Sequence, residues 1–252
     1  MVVPEETEAA TDWTGRPFSC QDCPHKDLRA GGRCVLGRIC VRDKRSKRID
    51  GFFASNPDLA GDYLNHLYFE VRALAAKYAN PFQIARLMND REAEVRAMAA
   101  LRLPITRVRE MSKDKDRAVR IACALRLQGA DLVAMAHDED EHVRLTVARR
   151  LDSSLLPIMF NDPSATVRRY IVVRAPPERL FGLLHDSDPV VRREAAERVA
   201  PDMLAALAND PDLRVRFVVA DRAPRDIVAK LVDDDDLEVR ARARDRMAES
   251  AL

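Results

Sequence analysis

Apolar positions along this chain recur in short helical bursts, and the bursts return at a fixed interval. Between 162 and 183, Val167 and Ile171 lie four residues apart and share one helical face. Leu180 and Leu183 follow three apart over a short stretch, which suits one or two turns of 3₁₀ type. No segment alternates apolar and polar residues as a half-buried strand does. A Val-Arg pair stands at Val71-Arg72, Val95-Arg96, Val119-Arg120, Val143-Arg144, Val167-Arg168, Val191-Arg192, Val215-Arg216 and Val239-Arg240, every 24 residues without insertion or deletion. Four residues after each Val stands a mostly small apolar residue: Ala75, Ala99, Cys123, Val147, Ile171, Ala195, Val219 and Ala243. Small residues there let neighbouring helices approach closely. The later apolar pair recurs as Leu132 and Met135, Leu204 and Leu207, and Val228 and Leu231.

The polar positions keep the same register. Asp90, Asp114, Asp138, Asp162, Asp186, Asp210 and Asp234 each precede a repeat Val by five residues. In the unit carrying Asp162-Pro163, the Asp is expected to cap a helix whose first residue is the Pro, a cap worth about 1 kcal/mol. That helix runs to about Arg174, and Pro176-Pro177 stops it. The Arg after each Val falls inside the apolar arc of its helix, so it needs an anionic partner. The Asp column supplies one, within a unit or to its neighbour, as an Arg–Asp ladder. A second column, Arg102, Arg126, Arg150, Arg174, Arg198, Arg222 and Arg246, lies at the edge of the arc and reads as more solvated. Two basic columns could also track phosphates, but few aromatic residues interleave with them to stack bases.

Each module has an apolar edge that it cannot bury alone, so the modules must pile onto one another. The chain divides into a flexible tail over 1–15, a cysteine-rich domain over 16–56 and a repeat array over 57–252. At the front of the array Pro57, Ala60, Tyr63 and Leu64 form a half-unit, and His66 replaces the Asp. At its end Arg242 and Arg244 flank Ala243, as suits a charged outer surface. The cysteine domain is placed to cap the array.

Four of the five cysteines, Cys20, Cys23, Cys34 and Cys40, crowd into one short segment with spacing C-x2-C-x10-C-x5-C. Clustered thiols of a reducing compartment read as metal ligands rather than disulfides. Gly31-Gly32 and Gly37 let the backbone return closely, and Lys26, Arg29, Arg33, Arg38 and Arg42 favour thiolates. Spacing alone leaves two metals open, a structural zinc or an iron–sulfur cluster; the run is not the ferredoxin pattern. With four cysteines present, His25 is expected beside the ligands or facing solvent. Cys123 belongs to a column of small apolar residues and reads as a buried hydrophobe.

Lys and Arg (42) nearly balance Asp and Glu (41), so global charge points neither to nucleic acid nor to a membrane surface. No apolar run approaches the roughly 18–20 residues that span a bilayer, and the acidic N-terminus is unlike a signal peptide; a cytoplasmic protein is expected. Lys44-Arg45-Ser46-Lys47-Arg48 is a basic run, read as a solvated hinge or a patch that steers an acidic protein or nucleic acid. No nucleophile elbow, phosphate-cradling Gly loop or acid–base pair is present. His66, His137, His142 and His185 form no metal-binding pair. Neither an enzyme nor a small-molecule substrate is expected.

The 24-residue module of Asp, Val-Arg, small apolar slot, Arg and Leu pair resembles the leucine-rich repeat variant family over 57–252. The resemblance implies an all-α, right-handed superhelical solenoid of alternating α- and 3₁₀-helices without sheet. It also implies that the N-terminal cysteine domain carries a 4Fe-4S cluster on Cys20, Cys23, Cys34 and Cys40, in a bacterial setting linked to nitrogen fixation. It implies no established activity. The expected function is a protein-interaction scaffold whose cluster is structural or redox-responsive. The alternatives are an electron-transfer protein docked through its solenoid and a redox-sensing nucleic-acid-binding protein.

Overall fold

The computed structural model describes residues 11–21 and 23–249. Among these no strand forms; the only sheet-like contacts are isolated pairs, Thr11 with Pro17 and Val35 with Ile39. Among the described residues no helix is long and apolar enough to cross a membrane. The chain forms two compact units, Met1–Leu127 and Gln128–Leu252.

In the first unit the Ser46–Ser55 helix packs on Phe69–Tyr78, which packs on Ala93–Arg102, which packs on Arg117–Ala124. In the second, helices Glu141–Arg150, Ala165–Arg174, Pro189–Ala196, Leu213–Arg222 and Leu237–Ala248 pack in the same succession. Every repeat Val and every slot residue four positions on is fully buried, so each helix hides one stripe against its neighbours. Between these helices run the short elements, among them 3₁₀ turns at Ser153–Met159, Pro177–His185 and Pro201–Leu207. Leu180, Leu183, Leu204 and Leu207 on these turns are buried as the pattern predicts. The short element is not always 3₁₀: Ile105–Met111 and Gly129–Val133 are single α-helical segments.

The capping differs from the expected scheme. Asp162 is not a helix cap, and Pro163 lies outside the helix, which begins at Ala165 after Ser164. The Asp162 carboxylate instead accepts the Ser164 amide at 2.8 Å and the Arg144 guanidinium at 2.7 Å. A second acidic column two residues further on does the capping: Asp116, Asp140, Asp188, Asp212 and Asp236 each accept amide hydrogens of the following helix. Pro189 then takes the first helical position, where its missing N–H costs nothing.

The Arg–Asp ladder runs forward, from each repeat to the next. In the first unit Arg72 pairs with Asp90 and Arg96 with Asp114; in the second Arg144 pairs with Asp162, Arg168 with Asp186, Arg192 with Asp210 and Arg216 with Asp234. Each pair is a two-pronged bond, Nε to one carboxylate oxygen and Nη2 to the other. Nη1 of the same arginine turns back to two carbonyls of its own repeat, as Arg168 does to Asp162 and Pro163. Every nitrogen of an almost buried guanidinium, and four of its five N–H donors, are thereby matched.

Apart from the exposed Arg102, the second arginine column is half-buried, and it has a role that its sequence position does not disclose. Arg126 donates to the carbonyls of Ala100 and Leu103 at 3.0 and 3.1 Å, and Arg174 to Ala148 and Leu151. Arg198 does the same to Val172 and Ala175, and Arg222 to Ala196 and Val199. These carbonyls end the preceding repeat's helix and have no partner within it, so a cation there also meets the negative end of the helix dipole.

Candidate metal centre

Of the proposed tail, residues 1–10 lie outside the described residues. From Thr11 the chain forms a turn in which Asp12 Oδ1 accepts the amides of Thr14 and Arg16. Trp13 stacks on Tyr68, with centroids 5.8 Å apart, and meets His66 edge-on at 5.0 Å. His66 does replace the repeat Asp locally, because its Nδ1 accepts the Tyr68 amide at 3.1 Å.

The four cysteines are brought into one neighbourhood by three turns. The Cys23 amide donates to the Cys20 carbonyl at 3.3 Å, which curls the C-x2-C segment. The 3₁₀ turn Lys26–Arg29 follows, and Gly32, with φ of +68°, reverses the chain into Cys34. Gly37, with φ of +76°, closes the small hairpin in which Val35 and Ile39 exchange backbone hydrogen bonds of 2.8 Å, and this returns Cys40. Both glycines sit in the left-handed region that side chains resist. The Cys40 amide then donates to the Arg48 carbonyl at 3.1 Å, fixing the hairpin to the Ser46–Ser55 helix.

Cys23, Cys34 and Cys40 are buried and Cys20 is partly exposed. Burial pushes the Cys34 thiol up, and its proximity to Cys23 and Cys20 pushes it further, while a hydrogen bond with Cys40 and the Arg29 charge oppose this. Burial raises Cys40 to about 12, against a hydrogen bond from the Arg42 amide and reinforced by Cys34 and Cys23. Thiols that oppose one another's ionisation are poor thiolates until a cation joins them, and metal binding to such a set releases protons. Among the described residues no three His, Cys, Asp or Glu side chains form a set that would hold a metal ion. In donor chemistry the four sulfurs suit a group bound through four thiolates. Cys123 stands apart, fully buried in its repeat slot, with its thiol raised to about 12 by burial.

Asn56, which has no place in the sequence pattern, and Tyr63, expected only as part of the front half-unit, support this neighbourhood. Asn56 is buried at the end of the Ser46–Ser55 helix, and its Nδ2 donates at 2.8 Å to the carbonyls of both Arg33 and Phe52. It ties the Cys34 segment to the helix. Its Oδ1 is the one buried side-chain polar atom without a partner among the described residues. Tyr63 hydrogen-bonds His25 through its hydroxyl, and the His25 ring packs on Phe52 at 5.1 Å. His25 is therefore half-buried against the helix rather than solvent-facing, and burial holds its pKa below the usual histidine value.

On the array side, the Ser46–Ser55 helix stands in the place of a preceding repeat. Asp50 accepts Lys77 at 2.9 Å and the Tyr78 hydroxyl at 3.0 Å, and Phe53 packs between Tyr63 and Tyr78.

Comparison with known proteins agrees with both parts. Residues 10–62, which contain all four clustered cysteines, match the family described as the LRV protein FeS4 cluster. A stretch of 81 residues is 44% identical to an uncharacterized 27.7 kDa protein of the nifB 3′ region of Rhodobacter capsulatus; it covers 32% of this chain and 33% of that protein. The chain thus spans about a third of the length of that curated relative. A solved structure described as a leucine-rich repeat variant with a novel repetitive structural motif superposes with a TM-score of 0.82 at 35% identity, over 91% of this chain and 98% of that one. With that likeness spanning nearly the whole solved chain, and a helix-only module repeated without a strand, this chain belongs to the leucine-rich repeat variant family.

Proposed function

We propose that this chain is an iron–sulfur repeat protein in which Cys20, Cys23, Cys34 and Cys40 hold a 4Fe-4S cluster at the head of a protein-interaction scaffold. The observation that carries the reading is the gathering of four thiols, three of them buried, inside the segment that matches a cluster-binding family. When bound, such a cluster supplies either a covalent cross-link of the domain or one-electron storage.

The scaffold half rests on which positions vary. Both arginine columns are engaged inside the array, so the repeated features build the stack rather than face a partner. The position six residues after each Val is different. Lys77, Leu101 and Leu125 of the first unit and Arg149, Val173, Glu197, Asp221 and Asp245 of the second stand there, all exposed except the half-buried Asp221, and between neighbouring repeats only Leu101 with Leu125 and Asp221 with Asp245 share a side chain. A surface that changes chemistry from repeat to repeat suits recognition of a particular protein.

Anaerobic purification followed by iron, acid-labile sulfide and zinc assays tests the cofactor. Iron and sulfide in equal amounts are expected, and zinc without sulfide would replace the cluster by a structural zinc. A photo-crosslinking residue at Leu125 tests the scaffold: one defined adduct is expected in cells, lost in a variant that also carries Leu101→Glu. No adduct at any position of the column would remove the scaffold reading.

A further inference from the structure

Charge along the chain is unevenly placed. Residues 11–56 hold ten Lys and Arg against five Asp, whereas 57–252 hold 32 Lys and Arg against 33 Asp and Glu. Three of the five acids of the cysteine domain are engaged in contacts within the protein. Asp43 is buried against Arg48 at 2.8 Å, Asp50 accepts Lys77, and Asp12 closes the turn with Thr14. Among the described residues of 11–56 only Asp27 is an exposed acid. The cations Lys26, Arg29, Arg33, Arg38, Lys44 and Lys47 are all exposed. They flank the thiols in sequence.

One apolar residue stands among them. Leu36 is 41% exposed at the tip of the hairpin that joins Cys34 to Cys40, between Arg33 and Arg38. An exposed apolar residue flanked by exposed cations is the composition of a protein docking site. Nucleic acid fits less well. The aromatic side chains that would stack bases are engaged: Trp13 lies on Tyr68, and Phe18 is covered by the Arg42 guanidinium at 4.9 Å. The ladder arginines of the array face aspartates rather than solvent.

We propose that the Cys34–Cys40 hairpin and its surrounding cations form a docking face for a protein with an acidic surface, which seats an apolar pocket over Leu36. The partner's chemistry rests on the reading that the domain holds a cluster, because it brings the acidic protein up against the thiols. Long-range attraction orients the encounter and the apolar contact holds it.

The test uses the full chain, purified anaerobically, with flavodoxin as a small acidic protein probe and a random-sequence DNA duplex as the competing class. Binding is followed by titration calorimetry, with iron and sulfide assayed on each sample. Expected is flavodoxin binding that weakens on the order of tenfold between about 50 and 300 mM salt. Arg38→Glu with Lys44→Glu and Lys47→Glu should weaken it on the order of tenfold or more, as should Leu36→Asp alone. A control reversal of Arg179 and Lys230, exposed on the array, should leave it unchanged. Absent or salt-insensitive binding, with cluster content intact, overturns the docking face and leaves the cluster standing. Tighter binding to DNA that ignores Leu36→Asp overturns the choice of a protein partner. Wild-type protein without iron and sulfide overturns the cluster reading instead, whatever the titration shows.

Discussion

Arg168 and Asp186, 18 residues apart in sequence, are joined by two parallel hydrogen bonds, Nε to Oδ2 at 2.6 Å and Nη2 to Oδ1 at 2.7 Å. Their side chains are 10% and 5% exposed, so the pair is an internal cross-link between successive repeats. Removing one partner leaves a buried, unmatched charge. Arg168→Met is expected to destabilise the chain by about 3–5 kcal/mol, and Arg168→Lys by less but measurably, since an ammonium cannot make the fork. Urea unfolding with hydrogen exchange should place the loss in the repeats around Arg168. A loss below about 1 kcal/mol, as for an exposed pair, would show that the ladder is ornamental.

The ladder also sets an acid limit. Burial works to raise the carboxyls of Asp90 and Asp114, but the paired guanidinium and the amide two residues on hold both below the ordinary value of 3.8. Asp234 is held down chiefly by Arg216. A group whose folded pKa is depressed contributes fully above its unfolded value and loses that contribution as pH falls through the folded one. Stability should therefore be steady from about pH 7 to 5 and fall below about pH 4. Asp90→Asn should lower the plateau and make the acid fall shallower; an unchanged slope would assign acid unfolding elsewhere.

The two acidic columns separate by magnitude. Asp188→Ala removes a helix cap that accepts the amides of Val190 and Val191 and should cost about 1 kcal/mol. Asp186→Ala strands Arg192 no further but leaves Arg168 buried without its partner, so the larger loss is expected there. Equal losses in calorimetric melting would contradict the assignment.

Arg198→Met keeps the aliphatic stem and deletes the bonds to the Val172 and Ala175 carbonyls. A half-buried, charge-assisted contact of this kind is worth about 1.5–3 kcal/mol. Faster amide exchange at the C-terminal turn of the Ala165–Arg174 helix is the local signature, and none is expected in distant repeats.

Among the cysteines, Cys34→Ser and Cys40→Ser should each lower iron and sulfide content. Cys123→Ser should leave both unchanged while costing about 1–3 kcal/mol, because a hydroxyl is placed in a fully buried apolar slot. Loss of iron in Cys123→Ser at intact fold would mean that the ligand set is misassigned.

Much of this architecture is legible in the sequence because each module must bury the same two positions; Val167 and Ile171 announce their helix without help from elsewhere. The need of Arg168 for an acid follows from the helical wheel, whereas its direction, forward to Asp186, depends on how repeats stack. Capping is misread because Asp162-Pro163 imitates a helix start, while its carboxylate is already committed to Arg144. The bonds of Arg198 are invisible for another reason: they end on backbone carbonyls, which leave no residue type to recognise. The clustered cysteines stand out by spacing. Asn56 and Tyr63 do not, since a helix-terminal Asn and a buried Tyr are ordinary residues until the fold places them beside Cys34 and His25.

A Mössbauer spectrum of anaerobically purified full-length protein, grown on isotopically enriched iron, tests the cofactor at the head of the array most directly. The account predicts the signal of a four-iron cubane, present in the wild type and in Cys123→Ser and lost from Cys34→Ser. A chain that carries zinc in place of iron, or iron signals that survive in Cys34→Ser, would contradict it.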